Sequence, residues 1–206
     1  MKVLMINGSP RVNGNTSIAL KEMEKIFAEE GVESETMQIG NKDIRGCIAG
    51  GTCAAKGSCV FDEPVNEIAP KFREADGLVV ASPVYYASAN GTLISFLDRL
   101  FYSTPFDKTM KVGASVAVAR RGGCSATYDE LNKYFTICGM PVASSQYWNS
   151  VHGQPPGEAV EDPGGLQTMR TWARQMRVLR KAIAVGKEQF ATPQKHTGTN
   201  RNKSVE

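Results

Sequence analysis

Lys2-Val3-Leu4-Met5-Ile6, followed by Asn7-Gly8-Ser9-Pro10-Arg11-Val12-Asn13-Gly14-Asn15-Thr16-Ser17, is the stretch that decides the fold. Residues 2–6 are almost continuously apolar, the pattern of a short strand covered on both faces. The residues from Asn7 to Asn15 form a polar, glycine-rich loop. Ile18, Ala19, Leu20, Met23, Ile26 and Phe27 then recur at helical spacing, and Gly31 ends that helix. A strand that enters a helix through such a loop is where an open α/β sheet binds its ligand. The N–H groups at the helix start favour an anion, and hydroxyls and amides at 9, 15, 16 and 17 add donors. The loop is neither the dinucleotide Gly-x-Gly-x-x-Gly nor a Gly-Lys-Ser/Thr phosphate loop. It suits a terminal phosphomonoester better than a buried pyrophosphate, with Arg11 closing over the phosphate or lying along the cofactor's edge.

The same alternation continues outward. Val32 to Ile39 reads as a second strand and residues 40–63 as a long loop. A helix is expected over 64–75, a strand over 77–81, a helix over 92–102 and a strand over 112–119. A further helix is expected over 125–138, a fifth strand beginning at Pro141-Val142-Ala143, and a last helix over 165–185. Five such alternations predict an α/β fold, a doubly wound five-stranded parallel sheet of order 2-1-3-4-5 with helices on both faces. One domain would span 1–186, with 187–206 a flexible tail.

Composition bounds what this fold does. The chain has 206 residues, 41% hydrophobic and 22% charged, which excludes fibrous and disordered classes. Its net charge of +3 comes from a basic segment at Arg170, Arg174, Arg177, Arg180 and Lys181 together with the last residues, so no compact nucleic-acid module is expected. No stretch reaches the roughly 18 apolar residues of a membrane span. Met1 to Gly8 is too brief for a leader before Pro10, so the expected location is cytoplasmic and the three Asn-x-Ser/Thr sites are chance. Five cysteines, an odd number, fit a reducing interior.

Two further loops leave the same edge of the sheet. Ser82-Pro83-Val84-Tyr85-Tyr86-Ala87-Ser88-Ala89-Asn90-Gly91 follows the third strand, and consecutive tyrosines suit a loop that covers something flat, unless one packs into the core and the other is solvated. Ala119 to Cys124 follows the fourth strand and carries two arginines and two glycines. Three loops converging on one rim make a site.

These loops resemble those of the NAD(P)H-dependent FMN reductase family, within the flavodoxin-like superfamily. Gly8-Ser9-Pro10-Arg11 with Gly14-Asn15-Thr16 is similar to its phosphate loop. Ser82 to Tyr86, through Leu97-Asp98-Arg99-Leu100, resembles its flavin-ring loop and the helix behind it. The resemblance implies FMN bound without a covalent bond, with Ser9, Arg11, Asn13, Asn15 and Thr16 around its phosphate. Pro83, Val84, Tyr85 and Tyr86 would line the isoalloxazine, and Arg120, Arg121 and Gly122 would flank its pyrimidine end. It also implies hydride transfer from NADH or NADPH to the flavin, then electrons to a quinone, a free flavin or another small-molecule acceptor. Arg120 or Arg121 would favour the extra phosphate of NADPH. Family members form homodimers or homotetramers. Tyr85, Tyr86 and Trp148 would make one apolar surface, so at least a homodimer is expected, with a neighbour's 40–63 or 145–160 segment completing each pocket.

The iron–sulfur branch of the family carries Cys-x2-Cys-x2-Cys-x5-Cys, which maps here to 47, 50, 53 and 59. Position 50 is glycine. Three thiolates leave one iron of a four-iron cluster without a protein ligand, and no fourth zinc ligand is evident. The reading favours a loop without metal over a cluster or zinc. Cys124 and Cys138 read as small core or helix residues. A flavodoxin-like electron carrier is the competing function, although carriers are commonly acidic. A low-molecular-weight phosphatase is excluded, because no cysteine has arginine six places later.

Overall fold

The computed structural model describes residues 1–61 and 64–191. Strand β1 (Lys2–Asn7) leads through the glycine loop into α1 (Asn15–Glu29), and β2 (Glu33–Gln38) follows. The segment after β2 holds a single-turn helix, α2 (Thr52–Lys56), set between Gly51 and Gly57, both in the left-handed region. Helix α3 (Pro64–Glu74), strand β3 (Gly77–Tyr85), a two-residue strand β4 (Ser88–Ala89) and helix α4 (Gly91–Ser103) come next. The chain ends with β5 (Val112–Ala119), α5 (Cys124–Thr136), β6 (Ser150–His152), a 3-10 turn at Glu158–Glu161 and α6 (Pro163–Gln189).

The sheet order is β2-β1-β3-β5-β6, all parallel, with β4 paired antiparallel to β3. This is the expected flavodoxin-like order, with β5 and β6 as the fourth and fifth parallel strands. Alternation along the strands makes two cores. Val3, Met5, Val79, Ala81, Val112 and Val116 face α1 and α6. Leu4, Ile6, Leu78 and Val80 face α3, α4 and α5 through Phe72, Phe96 and Phe135. Both faces are covered, which is why the strands read as apolar runs rather than alternating ones.

The fifth parallel strand is displaced from its expected place. Val142 makes only an isolated bridge to Gly113, and the strand proper is Ser150–His152. Ser144 to Asn149 is an excursion between the two, and it carries the exposed pair Tyr147 and Trp148. At the end of the chain α6 runs through Gln189, three residues past the expected boundary at 186. Most of the expected tail, residues 192–206, lies outside the described residues.

The arginines of α6 are used within the chain. Arg170 pairs with Glu22 at 2.5 Å, Arg177 with Glu30 at 3.1 Å, and Arg174 lies 3.6 and 3.8 Å from Glu30 and Glu29. The segment that looked like a basic patch is a cross-helix ladder onto α1.

Arg180 reaches Asp76, at the turn into β3, with bonds of 3.0 and 2.7 Å, and the Lys2 amide donates to the same carboxylate at 2.9 Å. Burial acts to raise the Asp76 pKa, but the Lys2 amide and the Arg180 guanidinium outweigh it and hold the carboxyl below its ordinary value. A depressed folded pKa contributes stability above the unfolded value and loses it as pH falls through the folded one. Asp76→Asn is therefore expected to lower the melting midpoint at neutral pH by a few degrees. The gap to wild type should close below about pH 4. Thermal melts across that range check this, and a gap independent of pH would refute it.

Candidate functional site

The carboxyl ends of β1, β3, β5 and β6 form one rim, and each loop there is bonded to or packed against the next. The Gly8 amide donates to the Ala81 carbonyl at 2.8 Å, and Asn90 Nδ2 donates to the Gly8 carbonyl at 2.7 Å. These tie the first loop to the second. Val84 and Ala87 lie against Gly123, where an added Cβ would come within 2.8 and 2.9 Å of them. The Gly153 amide donates to the Ala119 carbonyl at 3.0 Å, joining the third loop to the segment after β6. Asn15 closes the circle. Its Oδ1 accepts from the Gly157 and Ala159 amides at 3.0 and 3.1 Å, and its Nδ2 donates to the Pro155 carbonyl at 2.9 Å.

The first loop is built around a buried polar core. Ser9 accepts from the Arg11 amide at 3.1 Å, the Ser9 amide donates to Asn7 Oδ1 at 2.9 Å, and Asn7 Nδ2 donates to Ser17 at 3.0 Å. Helix α1 is capped by Gly14, which supplies no side-chain acceptor. The amides of Ser17 and Ile18 turn back to the Gly14 carbonyl, at 3.0 and 3.3 Å. The amides of Asn15 and Thr16 at the helix start are thus left facing the loop, and they suit an anion. Ser9 and Thr16 are buried, whereas Arg11, Val12 and Asn13 are exposed. Of the residues expected at the phosphate, the backbone cradle, Ser9 and Thr16 are assembled, while the Asn15 side chain is engaged with the 155–159 segment.

The second loop is a hairpin. Val84 pairs with Ala89 and Tyr85 with Ser88, leaving Tyr86 and Ala87 as a two-residue turn with φ of 51° and 62°. Positive φ at both central residues matches the right-handed twist of the strands, but tyrosine and alanine adopt it at a cost. Glu130 of α5 holds the hairpin, accepting from the Ser88 hydroxyl at 2.8 Å and the Ala89 amide at 3.0 Å. Neither tyrosine is in the core: Tyr85 is half-exposed and Tyr86 stands entirely in solvent. Pro83 and Val84 are half-buried at the base, and Arg120, Arg121 and Gly122 are exposed on the third loop. Beside them Cys124 begins α5 buried, and burial pushes its thiol pKa up.

Residues 1–155 match the family described as NADPH-dependent FMN reductase. The chain belongs to that family. It is an FMN-binding, NAD(P)H-dependent oxidoreductase with a flavodoxin-like fold. It is 34% identical over 194 residues to an iron–sulfur flavoprotein of Methanocaldococcus jannaschii, covering 89% of this chain and 99% of that one. Identity to an iron–sulfur flavoprotein of Methanosarcina thermophila is 33% over 181 residues, covering 85% and 93%. In fold it is similar to RosB with bound 8-demethyl-8-formylriboflavin-5'-phosphate, with a TM-score of 0.69 at 17% identity, over 100% of this chain and 96% of that one.

For this FMN reductase family member the rim fits a flavin phosphate on one observation, and a second shows how tightly the loop is held. The α1 start lacks a side-chain cap. Gly8 and Gly40 also pack where no Cβ fits, an added Cβ at Gly40 lying 2.2 Å from the Gly8 carbonyl oxygen. The cysteine loop does not fit a four-cysteine cluster. Cys47, Cys53 and Cys59 line one cavity of about 280 Å³ with Phe61, Arg99 and Tyr102. Among the described residues, however, no three His, Cys, Asp or Glu side chains gather to hold a metal ion. Arg99, 1% exposed, donates from Nε to Cys59 Sγ at 3.3 Å and from its other nitrogens to the Arg45 and Phe61 carbonyls. All five cysteines are free thiols. Among the described residues no helix is long and apolar enough to cross a membrane.

Two features of the site escaped sequence reasoning, Gly40 packed on the first loop and Asn90 bonded to Gly8, while the 153–159 segment, expected to complete a neighbour's pocket, bonds Asn15 of its own chain. Asn90 had a usable signal, an amide immediately before a helix, where it caps α4 by accepting from the Thr92 amide at 3.2 Å.

Proposed function

We propose that FMN sits on this rim with its phosphate in the Asn7–Ser17 loop, held by the free amides at the α1 start and the hydroxyls of Ser9 and Thr16. Arg11 and Asn13 stand at the open side of that loop. Pro83, Val84, Tyr85 and Tyr86 border the isoalloxazine, with Arg120, Arg121 and Gly122 at its pyrimidine end. The single observation that carries this reading is the Gly14 cap, which leaves the α1 start without a side-chain acceptor. Bound there, FMN supplies the acceptance of hydride and the onward transfer of electrons, and the protein supplies position and access. The hairpin turn holds Tyr86 in solvent beside the flavin, leaving one ring face open to a nicotinamide and then to a small-molecule acceptor of the quinone or flavin class.

Exposed Tyr85, Tyr86, Tyr147 and Trp148 favour a homodimer or homotetramer that covers them. Free thiols favour a reducing, cytoplasmic setting. The first 186 residues act as one flavin domain in this reading. The test is the anaerobic spectrum of the purified protein. It should be yellow, bleach on NADPH or NADH without a partner reductase, regain colour when a quinone is added, and release FMN on denaturation. FAD in place of FMN, or a flavin that neither nucleotide bleaches, would end the proposal.

A further inference from the structure

Strand β6 ends at His152, whose ring stands between two acceptors on different elements. Its Nδ1 lies 3.5 Å from Asp162 Oδ2, and its Nε2 lies 3.2 Å from the Arg121 carbonyl oxygen. The carboxylate is fixed from other sides: Oδ1 accepts from the Gly165 amide at 2.9 Å as the cap of α6, and Oδ2 accepts from the His152 amide at 2.8 Å. Gly165 is packed so closely that an added Cβ would come 2.3 Å from Oδ2. Asp162 therefore cannot turn away, and it sets the ring orientation. The third loop is tied at its base, where the Gly153 amide bonds the Ala119 carbonyl, but the described residues show no other bond from 120–122 than the one at the Arg121 carbonyl. Residues 120–122 are exposed, and Gly123 turns with φ of 92°.

We propose that His152 is the positioning residue of the third loop, clasping the Arg121 carbonyl to the Asp162 carboxylate and so setting where Arg120 and Arg121 meet the nicotinamide dinucleotide. This rests on the reading that residues 120–122 border the flavin. Both partners are acceptors, so a ring N–H turned toward either one donates to it. Asp162 lies in ion-pair reach of Nδ1 and holds the His152 backbone amide, so the ring is kept facing the Arg121 carbonyl.

The experiment follows bleaching of the FMN-loaded protein in stopped flow with increasing NADPH or NADH. It reads half-saturation and limiting rate separately. His152→Ala should raise half-saturation for NADPH about ten-fold, with the smaller effect on limiting rate. His152→Gln, which keeps a donor for the Arg121 carbonyl, should restore half-saturation to within about two-fold of wild type. FMN content per chain is measured for every variant, and if His152→Ala loses flavin, His152→Phe, which keeps a ring without a donor, takes its place. Arg121→Ala separates this inference from its foundation. If Arg121→Ala and His152→Ala both leave half-saturation unchanged, the placement of the loop and the clasp fall together. If Arg121→Ala weakens binding and His152→Ala does not, only the clasp is overturned. A wild-type flavin that neither nucleotide bleaches overturns the proposed function itself.

Discussion

Gly40→Ala is expected to yield a folded protein that loses its FMN on purification. Gly40 follows β2, where the amides of Ile39 and Gly40 both donate to the Asn7 carbonyl, at 2.9 and 3.1 Å. A Cβ at 40 would lie 2.2 Å from the Gly8 oxygen, 2.3 Å from the Ser9 carbonyl carbon and 2.4 Å from that of Gly8. All three are backbone atoms, so no rotamer relieves the overlap. The loop cannot withdraw on its far side either. A Cβ at Gly8 would already meet Leu93 at 2.6 Å, and Asn90 and Ala81 bond the Gly8 backbone in place. The displacement must go toward the open side, where the phosphate belongs. Overpacking of this kind costs about 3 kcal/mol, or roughly a hundred-fold in FMN affinity. Titrating the FMN-free protein with FMN and following flavin fluorescence measures it. Gly46→Ala is the control in the same segment, since its Cβ would meet nothing nearer than 4.0 Å. Wild-type FMN affinity in Gly40→Ala would show that the loop yields and that the argument is wrong.

Gly40 also marks where sequence reading stopped. The first strand, its loop and the two apolar faces were legible because covered strands and an amphipathic helix leave strong local patterns. The three loops were legible as a rim because each follows a strand of a parallel sheet. Gly40 carries no pattern, for its role is to leave space for a loop some thirty residues earlier in the chain. Segment 153–159, expected within 145–160 to complete a neighbour's pocket, bonds Asn15 and Ala119 of its own chain, and contacts so distant in sequence leave no local pattern. The hairpin after β3 was hidden by its residue types, because Tyr86-Ala87 gives none of the Asn-Gly signal that such turns normally carry. Arg99 reads only as part of the helix behind the second loop, and nothing local in the sequence shows that it is buried against Cys59 and two carbonyls.

The fifth strand failed for a different reason. Pro141-Val142-Ala143 is apolar and made a better strand by composition than Ser150-Val151-His152, which has one apolar residue. What selects the later segment is pairing: Ala117, Val118 and Ala119 of β5 need partners and find them at Ser150, Val151 and His152. The earlier segment is used differently. The Gly113 amide donates to Pro141 and the Ala143 amide donates to Gly113, both at 2.9 Å, and there the ladder stops.

Trp172 takes over where the ladder stops, and removing it should give the largest loss of stability. The indole is fully buried between α6 and the sheet, and its Nε1 donates to the Ala143 carbonyl at 3.0 Å. That carbonyl sits at the interruption in the sheet, and the side chain supplies its hydrogen bond. Trp172→Ala should destabilise by about 3–5 kcal/mol through lost burial and an incompletely filled cavity. In a chain of this size that lowers the melting midpoint by roughly ten degrees or more. Trp172→Phe keeps most of the ring but leaves the Ala143 carbonyl without its donor, a loss of about 1–3 kcal/mol. Urea unfolding of the FMN-free protein is the measurement to use, because bound cofactor adds stability of its own and would mask part of the difference. The order expected is wild type, then Phe, then Ala. If Trp172→Phe unfolds with the wild type, the indole bond does not hold the broken edge. If Phe and Ala fall together, the bond rather than the buried ring is what anchors α6 to the sheet.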